Sequence, residues 1–166
     1  MLMALVVVAA PVCFISIAGS SEEDTQQIRV SVLREARSFE LAVQGSFTLI
    51  DESHGLILKE QEESVYSTVK ATKSGISVGG IEYATKRLAI EPDRDASISV
   101  NKRRFRGHVT IMVMPDLTVN VINTVELEQY IKGVLYHEIS HRWPIEAIKA
   151  QAIATRSYAV YAMRQN

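Results

Sequence analysis

Cysteine occurs once in the 166 residues, as Cys13. A single thiol excludes an intrachain disulfide framework. It lies inside an apolar run that reads as an export signal, and cleavage there would leave a mature chain without a thiol nucleophile. An excess of either charge is missing too: 18 Lys and Arg stand against 19 Asp and Glu, for a net charge of -1 and a pI near 6.4. No global field therefore draws the chain to nucleic acid or to an anionic membrane. There is no firm internal repeat and no low-complexity linker, so the length suits one domain, and 47% hydrophobic residues suffice for a core. Function has to come from a site.

The first stretch, MLMALVVVAAPVCFISIAGSS, is uncharged, apolar and ends in small residues. Ser16 and Ala18, or Ala18 and Ser20, are spaced like a cleavage site, so residues 1–20 are expected to be an export signal or a membrane anchor. At roughly 18 residues the run is borderline for spanning a bilayer. The usual positive leader is missing, which places the true start upstream unless the segment stays as an anchor. Ala10-Pro11-Val12 does not resemble the small-residue signal before a lipidated cysteine. The expected location is the cell envelope or the extracellular space, with membrane contact only through this segment.

Residues 28–123 form short apolar runs divided by turn residues, the pattern of antiparallel strands. IRVSVL, FELAVQ, FTLID, GLILKE, YSTVKAT, GISVGGIEYA, LAIEP and SISVN each read as one strand or less, with reversals at Gly45, Gly55, Gly75, Gly79-Gly80 and Asp93. The clearest hairpin pairs 109–114 with 117–122 across Pro115-Asp116, which would turn Leu117, Val119 and Val121 to one side. Ahead of that hairpin, Lys102-Arg103-Arg104 and Arg106 surround Phe105. Such a basic-aromatic run has the parts to hold an anionic polymer, but a charged, solvated hairpin edge is the simpler reading.

After Asn123 the apolar period changes from two to about 3.6, and residues 124–166 read as two helices. A helix over 125–139, capped by Thr124, would align Leu127, Ile131, Val134 and Glu138 on one face. A carboxylate at the end of an apolar stripe is either a desolvated proton donor or a stripe running out into water. Trp143-Pro144 interrupts, and Pro144 is suited to the first position of a second helix with Glu146 in its first turn. That helix carries Ala147, Ala150, Ala152, Ala154 and Ala159, small enough for close backbone approach, while Tyr158 and Tyr161 suit a core or a groove wall. The fold class expected is α+β: short antiparallel strands, then two C-terminal helices.

His137, Glu138 and His141 also spell H-E-x-x-H, which on a continuous helix binds zinc and makes a metalloprotease. Pro144 argues against that continuity. A third ligand would have to come from upstream, from His54 or His108, since no His, Cys, Asp or Glu follows Glu146. No metal or other cofactor is expected.

The residues Tyr130-Ile131-Lys132-Gly133-Val134, Glu138, Trp143-Pro144, Glu146-Ala147, Lys149-Ala150-Gln151-Ala152 and Ala154-Thr155-Arg156-Ser157-Tyr158 resemble the signature of the SpoIID/LytB family. A weaker similarity reaches back through Asn101 and Arg106-Gly107. The resemblance implies a partial SpoIID-like domain and a lytic transglycosylase acting on peptidoglycan glycan strands. It makes Glu138 the single catalytic acid/base and leaves 1,6-anhydro ends; some relatives modify a cell-wall amidase instead. Lys149 and Arg156 would orient the glutamate or contact sugar, although an ion pair with Glu146 is the plainer role for Lys149. Trp143 and Tyr158 would line a groove. His137 and Ser140-His141 depart from the family pattern, and members continue beyond the signature helix, so the chain is expected to be truncated, with an incomplete domain.

Overall fold

The structure, a computed structural model, describes residues 26–140 and 142–165. The expected export segment with Cys13, and His141, lie outside the described residues. In chain order the described elements are β1 (Gln27–Ala36), β2 (Ser38–Gln44), β3 (Phe47–Asp51), β4 (Leu56–Gln61), β5 (Val65–Ala71), β6 (Ile76–Val78) and β7 (Ile81–Tyr83). They continue through β8 (Arg87–Pro92), β9 (Ser97–Val100), β10 (Arg103–Phe105), β11 (His108–Val113) and β12 (Val119–Glu126) to the helices α1 (Leu127–Glu138) and α2 (Ile145–Gln165). This is the expected α+β arrangement.

Period-two patterning assembles the strands into two antiparallel sheets, ordered β1-β12-β11-β8-β3-β4 and β10-β9-β2-β5-β6-β7. In β2 the residues Phe39, Leu41 and Val43 are buried and their neighbours are not; β3 alternates in the same way. These rows meet Leu88, Ile90, Val109, Ile111, Val119 and Val121 of the first sheet and Val69, Ile76, Ile98 and Val100 of the second in one core. Alternation thus puts one face of each sheet against the other. The sharpest hairpin joins β6 to β7 through Gly79-Gly80, with φ of 59° and 89° and Val78 opposite Ile81. Only a two-residue turn with positive φ at both positions matches the twist there, which is why two glycines occupy it.

Two local expectations change. Leu117 does not face the core with Val119 and Val121: it is 43% exposed and sits at φ 60°. The turn is longer than expected because the Met114 amide donates to the Thr118 carbonyl, the Leu117 amide donates to the Met114 carbonyl, and the Asp116 carboxylate accepts from the Thr118 amide and hydroxyl. Thr124, expected as a helix cap, lies instead within β12, paired with Arg29 on one side and His108 on the other. The basic run lies on β10, an edge strand with Arg103 and Arg104 exposed.

At the end of β3, alternation turns Asp51 inward, where it is only 5% exposed. Its carboxylate accepts from the Thr85 hydroxyl at 2.6 Å and the Ser53 amide at 2.8 Å, and pairs with His54 Nδ1 at 2.8 Å. The Thr85 and His54 bonds, outweighing burial, lower the Asp51 pKa to about 2. A carboxyl lowered on folding adds stability that is present above its ordinary value and lost as pH falls through the folded one. Urea denaturation followed from pH 7 to pH 2 should show the Asp51→Asn variant less stable at neutral pH. The gap to the parent should close between about pH 4 and about pH 2; a constant gap would remove Asp51 as the group responsible.

Candidate functional site

The helices are held to the sandwich by a second, smaller core. Ile28 of β1 and Val125 of β12 pack with Leu127 and Ile131 of α1 and with Ala159 of α2, flanked by Tyr130, Leu135, Ala152, Val160 and Met163. α1 begins without a side-chain cap; its first turn carries Glu128, favourable at the positive end of the helix dipole. The Leu127 amide donates to the Gln26 carbonyl, which ties the helix start to β1. The helix ends at Glu138, since Ile139 is extended at φ -124° and ψ 138°. A short link follows, in which the Trp143 amide donates to the Ser140 carbonyl. Pro144 immediately precedes α2, and its carbonyl accepts from the Ala147 and Ile148 amides.

The expected apolar stripe is real for Leu127 and Ile131, weakens to half-burial at Val134, and reaches water at Glu138. Glu138 is exposed, so the desolvation anticipated for it is not supplied by the described residues. They also give it no hydrogen bond or ion pair. Beside it lies a cleft of about 170 Å³ lined by Leu135, Tyr136, Ile139, Ser140 and Ile148. Exposed rings surround this end of the helix pair: Tyr136 is 82% exposed, with its ring edge-on to His137 at 5.2 Å, and Trp143 is 52% exposed.

The remaining candidates are placed as follows. Lys149 pairs with Glu146 at 2.9 Å, the plainer of its two roles. Arg156 makes a two-pronged contact with Glu128, from Nε to Oε1 at 3.1 Å and from Nη2 to Oε2 at 2.6 Å. Its guanidinium is thus engaged in clamping α2 to the first turn of α1, away from Glu138. Tyr158 is 72% exposed and Tyr161 is exposed as well, so neither belongs to the core. Of the alanines, Ala152 and Ala159 pack in the smaller core, whereas Ala150 and Ala154 face outward. Glu128 and Tyr136 were missed by sequence reasoning. The Glu128–Arg156 pair spans 28 residues and has no local spacing to betray it, while Tyr136 falls inside the signature segment as an aromatic off the apolar stripe.

The zinc pattern needs a helix that continues past Glu138, and α1 stops there with Ile139 extended. Among the described residues no group of three or more His, Cys, Asp and Glu side chains comes together as a ligand set. His54 is occupied with Asp51 at the tip of β3.

Residues 116–166 match the family model of the stage II sporulation protein, SpoIID. An uncharacterized protein of Brachyspira hyodysenteriae is 36% identical over 121 residues, which cover 72% of this chain and 27% of that protein. An uncharacterized protein of Chlamydia muridarum is 28% identical over 132 residues, covering 79% and 46% respectively. The chain therefore spans about a quarter to a half of the length of these curated relatives. No solved structure matches. The matched segment contains both helices and Glu138, which points to a cell-wall-related role.

The clamp has a measurable consequence. Arg156→Ala and Glu128→Ala should each speed amide hydrogen exchange in α2 while leaving β11 and β12 protected. The double variant should exchange like either single one, because each removal already abolishes the same contact. Additive effects would mean the two side chains act separately.

Proposed function

We propose that this chain, whose residues 116–166 belong to the SpoIID family, carries the acid/base residue of a peptidoglycan lytic transglycosylase at Glu138. The observation that carries the reading is the family match across both helices, together with a lone carboxylate at the exposed end of α1 beside a cleft. Ordinary glycosidases work with two carboxylates, one protonating the leaving oxygen and the other activating water or attacking. A transglycosylase manages with one because the sugar's own 6-hydroxyl is the nucleophile and is already held in place. Glu138 protonates the glycosidic oxygen and then takes the proton from that hydroxyl, closing a 1,6-anhydro ring. In the open site, water leaves Glu138 only when a glycan covers it, so substrate binding supplies the desolvation.

Tyr136, which lines the cleft, and Trp143, exposed in the link after α1, support this reading, since exposed flat rings suit the apolar faces of sugars. The protein would act at the cell envelope on glycan strands, directly or beside a wall amidase. The exposure of Glu138 favours one other reading, a non-catalytic wall-binding or amidase-modifying protein whose glutamate does no chemistry.

The two separate by digesting peptide-free glycan strands with the longest product of this reading frame and with its Glu138→Gln variant, followed by mass spectrometry. Anhydro ends from the parent alone, with turnover in the variant lowered by at least about a hundredfold, are expected for an acid/base residue. Binding without cleavage by both proteins would leave the accessory reading.

A further inference from the structure

A cavity larger than the cleft beside Glu138 lies elsewhere. It is a groove of about 940 Å³ at the other end of α1, where the β8–β9 connection faces β10 and the start of β11. Its size is that of a ligand site, and its lining combines an aromatic ring with convergent polar groups. Phe105 packs against the main core, so its ring is fixed from below while it lines the groove above. Arg94, Arg104 and Arg106 surround it, and among the described residues none of the three forms an ion pair. Glu91 and Asp93 lie in the same wall as acceptors.

The groove is built, not incidental. Buried Asn123 donates from Nδ2 to the Arg106 carbonyl at 2.7 Å and to the His108 carbonyl at 3.0 Å, which pins the turn carrying both residues. Gly107 between them has φ 75°, and a Cβ there would stand 2.1 Å from the Thr124 carbonyl oxygen. The turn therefore lies flat on β12 at a position only glycine allows. Arg104 is aimed by Nη2 bonds to Ser97 Oγ at 3.1 Å and Gln44 Oε1 at 3.5 Å, and Arg106 by a bond from Nη1 to Gln129 of α1.

We propose that this groove is a saccharide-binding site, separate from Glu138, that holds a glycan strand through Phe105 and the arginines Arg94 and Arg104. A sugar presents apolar ring faces and hydroxyls that donate and accept at once, so it needs a ring, donors and acceptors side by side. Phe105 supplies the first, the guanidinium groups the second, and Glu91 and Asp93 the third. A polyanion would meet those two carboxylates as repulsion, and the chain has no excess of positive charge to overcome them. The choice of a wall glycan as ligand rests on the function proposed above; the saccharide chemistry does not.

The test is binding by calorimetry of the full chain to a neutral N-acetylglucosamine oligosaccharide and to peptide-free glycan strands, alongside the Arg94→Ala, Arg104→Ala double variant. Both arginines are exposed, and matching thermal melts establish that the variant is folded. The parent should bind both saccharides, with affinity in the double variant lower by about tenfold or more. Equal binding by parent and variant, or no saccharide binding by the parent, overturns the proposal. So does binding of polyphosphate that the neutral oligosaccharide fails to displace. A chain that binds through the groove yet leaves no anhydro ends would retain this site and lose the transglycosylase.

Discussion

Strand β12 has to bury residues in two different cores, and the rest of the structure depends on that constraint. Val119 and Val121 fill the space between the sheets, while Val125, on the same face of the strand, belongs with Leu127 and Ile131 in the core that holds the helices. Between them stands Asn123, where the first core has ended and the second has not begun. A buried amide is costly unless satisfied, and here it is satisfied by two carbonyls of the β10–β11 turn. One side chain thereby marks the boundary between the cores and fixes the wall of the large groove.

This arrangement explains why strand gives way to helix when it does. From Asn123 to Val125 three consecutive residues of β12 are buried, because β1 and β11 pair on both sides and the helices close over the end. Alternation therefore fades before the hydrogen-bond ladder does. A reading based on apolar period alone starts the helix at Val125, yet the backbone remains in register with β1 as far as Glu126 opposite Gln27. Tertiary pairing overrode the local signal for two residues, and with it the apparent cap at Thr124.

What could be read from the chain follows the range of the interactions. β3, with its strict alternation, was recognisable residue for residue, and the Gly79-Gly80 reversal follows from local conformational freedom. The end of α1 before Pro144 was legible for the same reason. Leu117 was misplaced because its left-handed backbone comes from the Asp116 and Thr118 bonds around it, not from any preference of leucine. At the candidate site, the Lys149–Glu146 pair is visible as a three-residue spacing, whereas the partner of Arg156 lies on another helix. The groove combines residues from 91 to 108 with Gln27. Its basic-aromatic component stood out in the sequence, but the carboxylates that change its meaning from polyanion to sugar did not.

The two proposed sites stand at opposite ends of one rigid element. Gln129, in the first turn of α1, touches the groove's Arg106, and Glu138 closes the last turn. Nine residues at about 1.5 Å each separate them along the axis by roughly 14 Å. That distance is too long for a single sugar and short for a polymer, so a ligand engaging both must be a strand. Held in the groove, such a strand raises the effective concentration of its next segment near Glu138 without any further contact. The small cleft beside Glu138 then needs to recognise little on its own, in keeping with its volume and with a carboxylate left open to solvent.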